Sequence, residues 1–128
     1  MGCGNHPTRG DIGQILGSIL QGKATHYSVR ESFLRSDPRR EGPHTFTTEK
    51  AITTPRGRVV YDARGRRAQP DYVNYSTHEI RDVKALHSGQ TPEDVYFQYQ
   101  EQFDRYSETY ESARGISPTI EILCYDAD

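Results

Sequence analysis

Pro70-Asp71-Tyr72-Val73-Asn74-Tyr75, followed by His78-Glu79-Ile80-Arg81-Asp82-Val83-Lys84-Ala85-Leu86, is the stretch whose reading decides the fold. β-Branched and aromatic residues alternate with polar ones here, and proline stands at the first strand position, where a missing N–H is tolerated. Two neighbouring strands are expected. At a period of two, Ile80, Asp82 and Lys84 share one face of the second strand, and Val83 and Ala85 share the other with Glu79 and Arg81. Ten residues separate Asp71 from Asp82, so a short turn brings both carboxylates to one edge of the sheet.

Downstream lies the strongest periodic signal. Tyr96, Tyr99, Phe103, Tyr106 and Tyr110 recur at spacings of three and four, which predicts one helix carrying an aromatic core stripe. Thr91 and Pro92 start it, Glu93 and Asp94 suit its first turn, and Gly115 and Pro118 stop it. Ile120-Glu121-Ile122-Leu123-Cys124-Tyr125 then reads as a buried closing strand. Upstream, Arg58-Val59-Val60-Tyr61 suits a strand, with Asp62-Ala63-Arg64-Gly65-Arg66 as a turn, and residues 44–54 read as an edge strand or ordered loop. A helix from Asp11 through Ile12, Ile15, Leu16, Ile19 and Leu20 and a second over Ser28–Leu34 complete the front. This order carries no internal repeat. It gives an α/β (α+β) class with a small mixed sheet flanked by helices. Residues 1–10 are expected to be a disordered lead-in and 11–128 a single domain.

The chain has 128 residues, of which 33% are hydrophobic, enough for one economical core. No apolar run approaches a membrane span, and two cysteines form neither a disulfide framework nor a four-ligand zinc site. The N-terminus offers no secretory or acylation pattern, since His6 stands where Ser or Thr is needed. Net charge is −2, but residues 51–90 carry +3 and residues 91–128 carry −7. The near balance is an average over a basic middle and an acidic end. It does not exclude a nucleic-acid substrate. The histidines (6, 26, 44, 78, 87) lack metal spacing, although His78 and His87 flank the third strand. Cys124 reads as a small buried hydrophobe.

Paired carboxylates hold a hard, oxygen-preferring cation, and an adjacent ammonium neutralises charge growing on a phosphorane. Lysine suits that position better than arginine because it is a compact point charge. The chain has thirteen arginines and three lysines, which makes Lys84 conspicuous.

Proline-aspartate, ten residues, then acid-x-lysine on strands followed by a helix and a strand resembles the PD-(D/E)xK nuclease superfamily. The resemblance covers residues 26–126 and implies an αβββαβ restriction-endonuclease-like core. By motif, it implies that Asp71 and Asp82 bind Mg²⁺ or Mn²⁺, with the carbonyl of Val83 as a further ligand and Lys84 as the catalytic lysine. Glu31 falls where many members carry an additional acid. Gln100 and Gln102 both border the aromatic stripe, and either fits the glutamine that some members place after the third strand. The family implies a nucleic-acid substrate, DNA ahead of RNA, and Arg56, Arg58, Arg64, Arg66 and Arg67 are placed to grip its phosphates. Compact members without targeting signals resemble toxin modules of larger secreted bacterial proteins. Such modules act in the cytoplasm and are neutralised by an immunity protein. The alternative expectation is a non-catalytic immunity- or adaptor-type module whose acidic residues 91–128 meet a basic partner.

Overall fold

The computed structural model describes residues 37–126 together with Glu31, Leu34 and Arg35. The lead-in, the Asp11 helix and most of the Ser28–Leu34 helix lie outside the described residues. Glu31, Leu34 and Arg35 have helical backbone.

Four strands form one mixed sheet: β1 (Phe46–Thr48), β2 (Tyr72–Asn74), β3 (Glu79–Leu86) and β4 (Thr119–Asp126), in that spatial order. β1–β2 and β2–β3 pair antiparallel, whereas β3–β4 pair parallel. The parallel pair requires a crossover, which the helices between β3 and β4 provide. The β2–β3 turn is shaped by Asn74, whose side-chain oxygen accepts from the backbone N–H of Ser76 (2.9 Å) and Thr77 (3.0 Å). His78 closes it in the left-handed region, at φ 58°.

The expected single helix is two, α1 (Pro92–Gln98) and α2 (Gln100–Arg114). Thr91 and Asp94 form the capping box that starts α1. Tyr99 departs from helical geometry at φ −111°, ψ 17°, yet Tyr99 N–H still reaches Val95 O (3.2 Å) and Phe103 N–H still reaches Tyr99 O (3.1 Å). The aromatic stripe therefore continues across the break. Gly115, at φ 73°, ends α2 with its N–H on Glu111 O.

The core fills the space between this stripe and one sheet face. Phe103, Tyr106 and Tyr110 pack with Val73, Ile80, Ile122 and Cys124, all buried, and Tyr96 and Tyr99 pack against them partly buried. The expected core role of the stripe is met. On the opposite face Phe46 stacks on Tyr72 at 5.9 Å between centroids, and Arg81 covers the Tyr72 ring at 5.4 Å.

Two expectations fail upstream of β2. Residues 58–61 do not form a strand of the sheet, and the chain does contain a repeat. Thr54-Pro55-Arg56-Gly57-Arg58 and Asp62-Ala63-Arg64-Gly65-Arg66 form matching turns eight residues apart. In the first, Gly57 N–H donates to Thr54 O (2.8 Å) and Thr54 N–H to Arg58 O (2.8 Å). In the second, Gly65 N–H donates to Asp62 O (2.9 Å) and Asp62 N–H to Arg66 O (2.8 Å). Both glycines are left-handed, at φ 82° and 76°, the residue that a three-residue hairpin loop needs there. The bridges Thr53↔Val59 and Tyr61↔Arg67 close the hairpins. Their bases meet where Ile52 O accepts from Val60 N–H (3.2 Å) and Ile52 N–H donates to Ala68 O (2.8 Å). The β-branched run 58–61 is thus split between two small hairpins rather than laid along the sheet.

Helix α2 holds this double hairpin at both ends. Arg114 Nε donates to Thr53 O (2.8 Å), its Nη2 to Thr54 O (3.1 Å), and its guanidinium lies 3.8 Å from the Tyr75 ring centroid. At the other end of α2, Arg66 Nη1 meets Glu101 Oε1 at 3.0 Å, about 20 Å away along the helix. Arg114→Ala is expected to lower stability by about 2 kcal/mol, since it removes charge-assisted hydrogen bonds from part-buried carbonyls. It should also speed tryptic cleavage at Arg56 and Arg58. A thermal melt and a timed digest check both.

Candidate active site

The antiparallel register places Tyr72 across from Arg81, so Asp71 lies across from Asp82 at the end of the β2–β3 ladder. Side chains continue the pairing from there. Asp71 N–H donates to Asp82 Oδ1 (3.0 Å), and Val83 N–H donates to Asp71 Oδ2 (2.8 Å). Each carboxylate accepts a backbone N–H from the other's segment, so both are locked in position. The two acids are side by side, though between the two inner strands, where the β2–β3 ladder ends, rather than at an edge of the sheet.

Lys84 Nζ lies 3.0 Å from Asp82 Oδ2 and donates to Gln102 Oε1 at 2.7 Å. Its ammonium also sits 4.1 Å from the Tyr99 ring centroid and 5.9 Å from that of Phe103. Only 12% of the Lys84 side chain is exposed, so these contacts replace most of its hydration. Two candidates for the glutamine are thereby separated. Gln102 faces Lys84, whereas Gln100 is exposed.

Asp82 is 2% exposed, and its pKa is raised to about 7. Burial is the largest cause and the Asp71 charge the second. Together they outweigh the Lys84 ammonium and the hydrogen bond from Asp71 N–H. Tyr106, buried beneath, has its hydroxyl pKa raised by burial and then by Asp82 and Asp71. The site is a low-dielectric corner in which burial and the neighbouring Asp71 charge both work against ionisation of Asp82.

Among the described residues, no group of three or more His, Cys, Asp or Glu gathers to hold a metal. The acid pair itself supplies two carboxylates in a region where a cation would relieve their mutual repulsion. That donor chemistry fits Mg²⁺ or Mn²⁺, ions that commonly keep several waters and bind through one or two carboxylates.

The remaining sequence candidates fall elsewhere. Glu31 is half-buried on helical backbone. Arg56, Arg58, Arg64 and Arg67 are exposed on the double hairpin, and Arg66 is engaged by Asp62 (2.9 Å) and Glu101 (3.0 Å). His78 sits at the far end of β3, roughly 13 Å along the strand from Asp82, with Nδ1 2.7 Å from the Tyr110 hydroxyl. Cys124 is fully buried in β4. Tyr99 and Tyr106 are the site residues that sequence reasoning missed. A signal was present, because they stand three before and four after Gln102, on its helical face.

Comparison with protein-family models, with curated proteins and with solved structures found no match.

Proposed function

We propose that the chain is a metal-dependent nuclease of the PD-(D/E)xK type, built on a restriction-endonuclease-like αβββαβ core and hydrolysing phosphodiester bonds of DNA. The observation that carries this reading is the interlocked Asp71–Asp82 pair with the Lys84 ammonium 3.0 Å from Asp82. Asp71 and Asp82, with the carbonyl of Val83 as a further ligand, would hold Mg²⁺ or Mn²⁺. When bound, that ion supplies Lewis-acid polarisation of a phosphodiester oxygen and an acidified water.

The protein's own part is positioning and charge. Asp71 and Asp82 are fixed by each other's backbone, so the donors need no rearrangement. Lys84 is aimed by Gln102 and Tyr99 and stabilises negative charge as the phosphorane forms. Arg56, Arg58, Arg64 and Arg67 supply positive charge upstream of the acid pair, and only three residues separate Arg67 from Asp71. A module of this kind suits a toxin carried into a target cytoplasm by a larger protein and restrained by an immunity protein.

Incubation with plasmid DNA and with RNA, each with Mg²⁺, with Mn²⁺ and with chelator, tests the activity. Metal-dependent cutting is expected, and no cutting of any nucleic acid would overturn the reading. Gln102→Ala should lower the cleavage rate roughly ten- to a hundredfold, as loss of an orienting hydrogen bond does. Gln100→Ala should leave it unchanged, and equal rates for the two variants would remove Gln102 from the site.

A further inference from the structure

We propose that the two Arg-Gly-Arg turns are a paired phosphate grip, in which Arg56 and Arg64 each hold a backbone phosphate of a DNA duplex, while Arg66 positions the second turn and binds no substrate. The proposal rests on the nuclease reading only for the choice of polyanion.

Equivalence is the first support. Arg56 and Arg64 occupy the same position in two turns of the same hydrogen-bond pattern, each immediately before a left-handed glycine. Each turn is stiffened by the side-chain oxygen at its first residue. Thr54 Oγ1 accepts from Arg58 N–H (3.3 Å), and Asp62 Oδ1 accepts from the N–H of Arg64 (2.9 Å) and Arg66 (2.9 Å). Two equal cationic tips on one rigid unit suit a ligand that repeats its charge. A nucleic-acid backbone does so.

Charge economy is the second. Among the described residues, no ion pair or side-chain hydrogen bond engages the guanidinium of Arg56, Arg58, Arg64 or Arg67, and all four are exposed. Arg66 differs. Its Nε is on Asp62 at 2.9 Å and its Nη1 on Glu101 at 3.0 Å, which ties the second turn to the residue preceding Gln102. The grip is thereby anchored to the helix that aims Lys84. Between the turns, Tyr61 is 58% exposed and Val59 37% exposed.

The experiment reads the salt dependence of binding in chelator, where no cleavage proceeds. Fluorescence anisotropy of a labelled DNA duplex is followed against salt for the wild type, Arg56→Ala/Arg64→Ala, Arg56→Lys/Arg64→Lys and the charge-matched control Arg35→Ala/Arg40→Ala. Each lost duplex phosphate contact should reduce the slope of log K against log salt by about 0.9, hence by about 1.8 for the alanine pair. The lysine pair should restore the wild-type slope, because lysine still meets phosphate as a point charge. The control should not change it.

Equal slopes for the alanine pair and the wild type would overturn the grip, even with cleavage intact. No binding of the wild type to DNA would overturn it as well, as would tighter binding to an acidic protein than to DNA. Loss of slope in a protein that never cuts nucleic acid would keep the grip and remove the nuclease.

Discussion

Lys84→Ala is expected to lower metal-dependent cleavage by on the order of 10²- to 10³-fold while leaving the protein folded. The ammonium is fixed by an ion pair to Asp82, a hydrogen bond that it donates to Gln102 and the face of Tyr99, so its removal empties one point of charge and little else. Asp82→Ala should cost at least as much, because it takes away a carboxylate that no neighbouring side chain can replace in position. Lys84→Arg should not rescue. A planar guanidinium needs more room than the 3.0 Å and 2.7 Å contacts leave and distributes its charge away from Nζ. Initial rates on plasmid DNA, beside thermal melts of the same preparations, make the comparison. Metal-dependent cutting that survives both alanine substitutions in folded protein would sink the assignment of the site.

Asp82→Asn should make the protein more stable above about pH 7 than the wild type. The sign follows from the direction of the pKa shift. In the folded chain the Asp82 carboxyl ionises near 7 rather than near 3.8, so the native state holds its proton more tightly than the unfolded state. Its contribution to stability is fully present below about pH 4 and is lost as the pH rises through 7. Three pKa units set an upper bound on the order of 4 kcal/mol, lessened in the variant because Lys84 loses its counter-charge. The amide can still accept the Asp71 N–H. The wild-type melting temperature should therefore fall between pH 4 and 7 by more than that of Asp82→Asn, whose profile should be flatter. Half-buried Asp37, Asp62 and Glu41 have lowered pKa values and act in the opposite sense, losing their contribution on acidification. Added Mg²⁺ or Mn²⁺ should raise the wild-type melting temperature at pH 8, where the acid pair is charged, and not that of Asp82→Asn. Parallel pH profiles for the two proteins would show that Asp82 is ordinary.

Both expectations concern one corner of the fold, and its parts were unequally legible. Asp71 and Asp82 could be paired from spacing alone, because ten intervening residues between two strands leave room for little besides a short turn. Gln102 could not be chosen over Gln100. The two lie about 200° apart around a helix, and which faces β3 depends on how the aromatic stripe seats against Val73, Ile80 and Ile122. Tyr99 was legible only as a core residue. Its second role appears once the break between α1 and α2 is set beside Lys84. The reading of 58–61 as a strand rested on Val59, Val60 and Tyr61, and it lost to the turn chemistry on either side. Gly57 and Gly65, with Thr54 and Asp62, specify two tight hairpins, and β-propensity within a four-residue run is too weak to oppose them.

The sequence by itself determined the order of β2, β3, a helical segment and β4, the aromatic core and the pairing of Asp71 with Asp82. All of these are written in local periodicity and spacing. Only the tertiary structure decided the state of the site: that Asp82 is buried beside Asp71, that Lys84 is shared between Asp82 and Gln102, and that Arg66 is held by Asp62 and Glu101 while Arg56 and Arg64 are exposed. A carboxyl group's charge depends on the solvent it loses and the charges it meets, and those are set by strand register and helix packing rather than by neighbours along the chain.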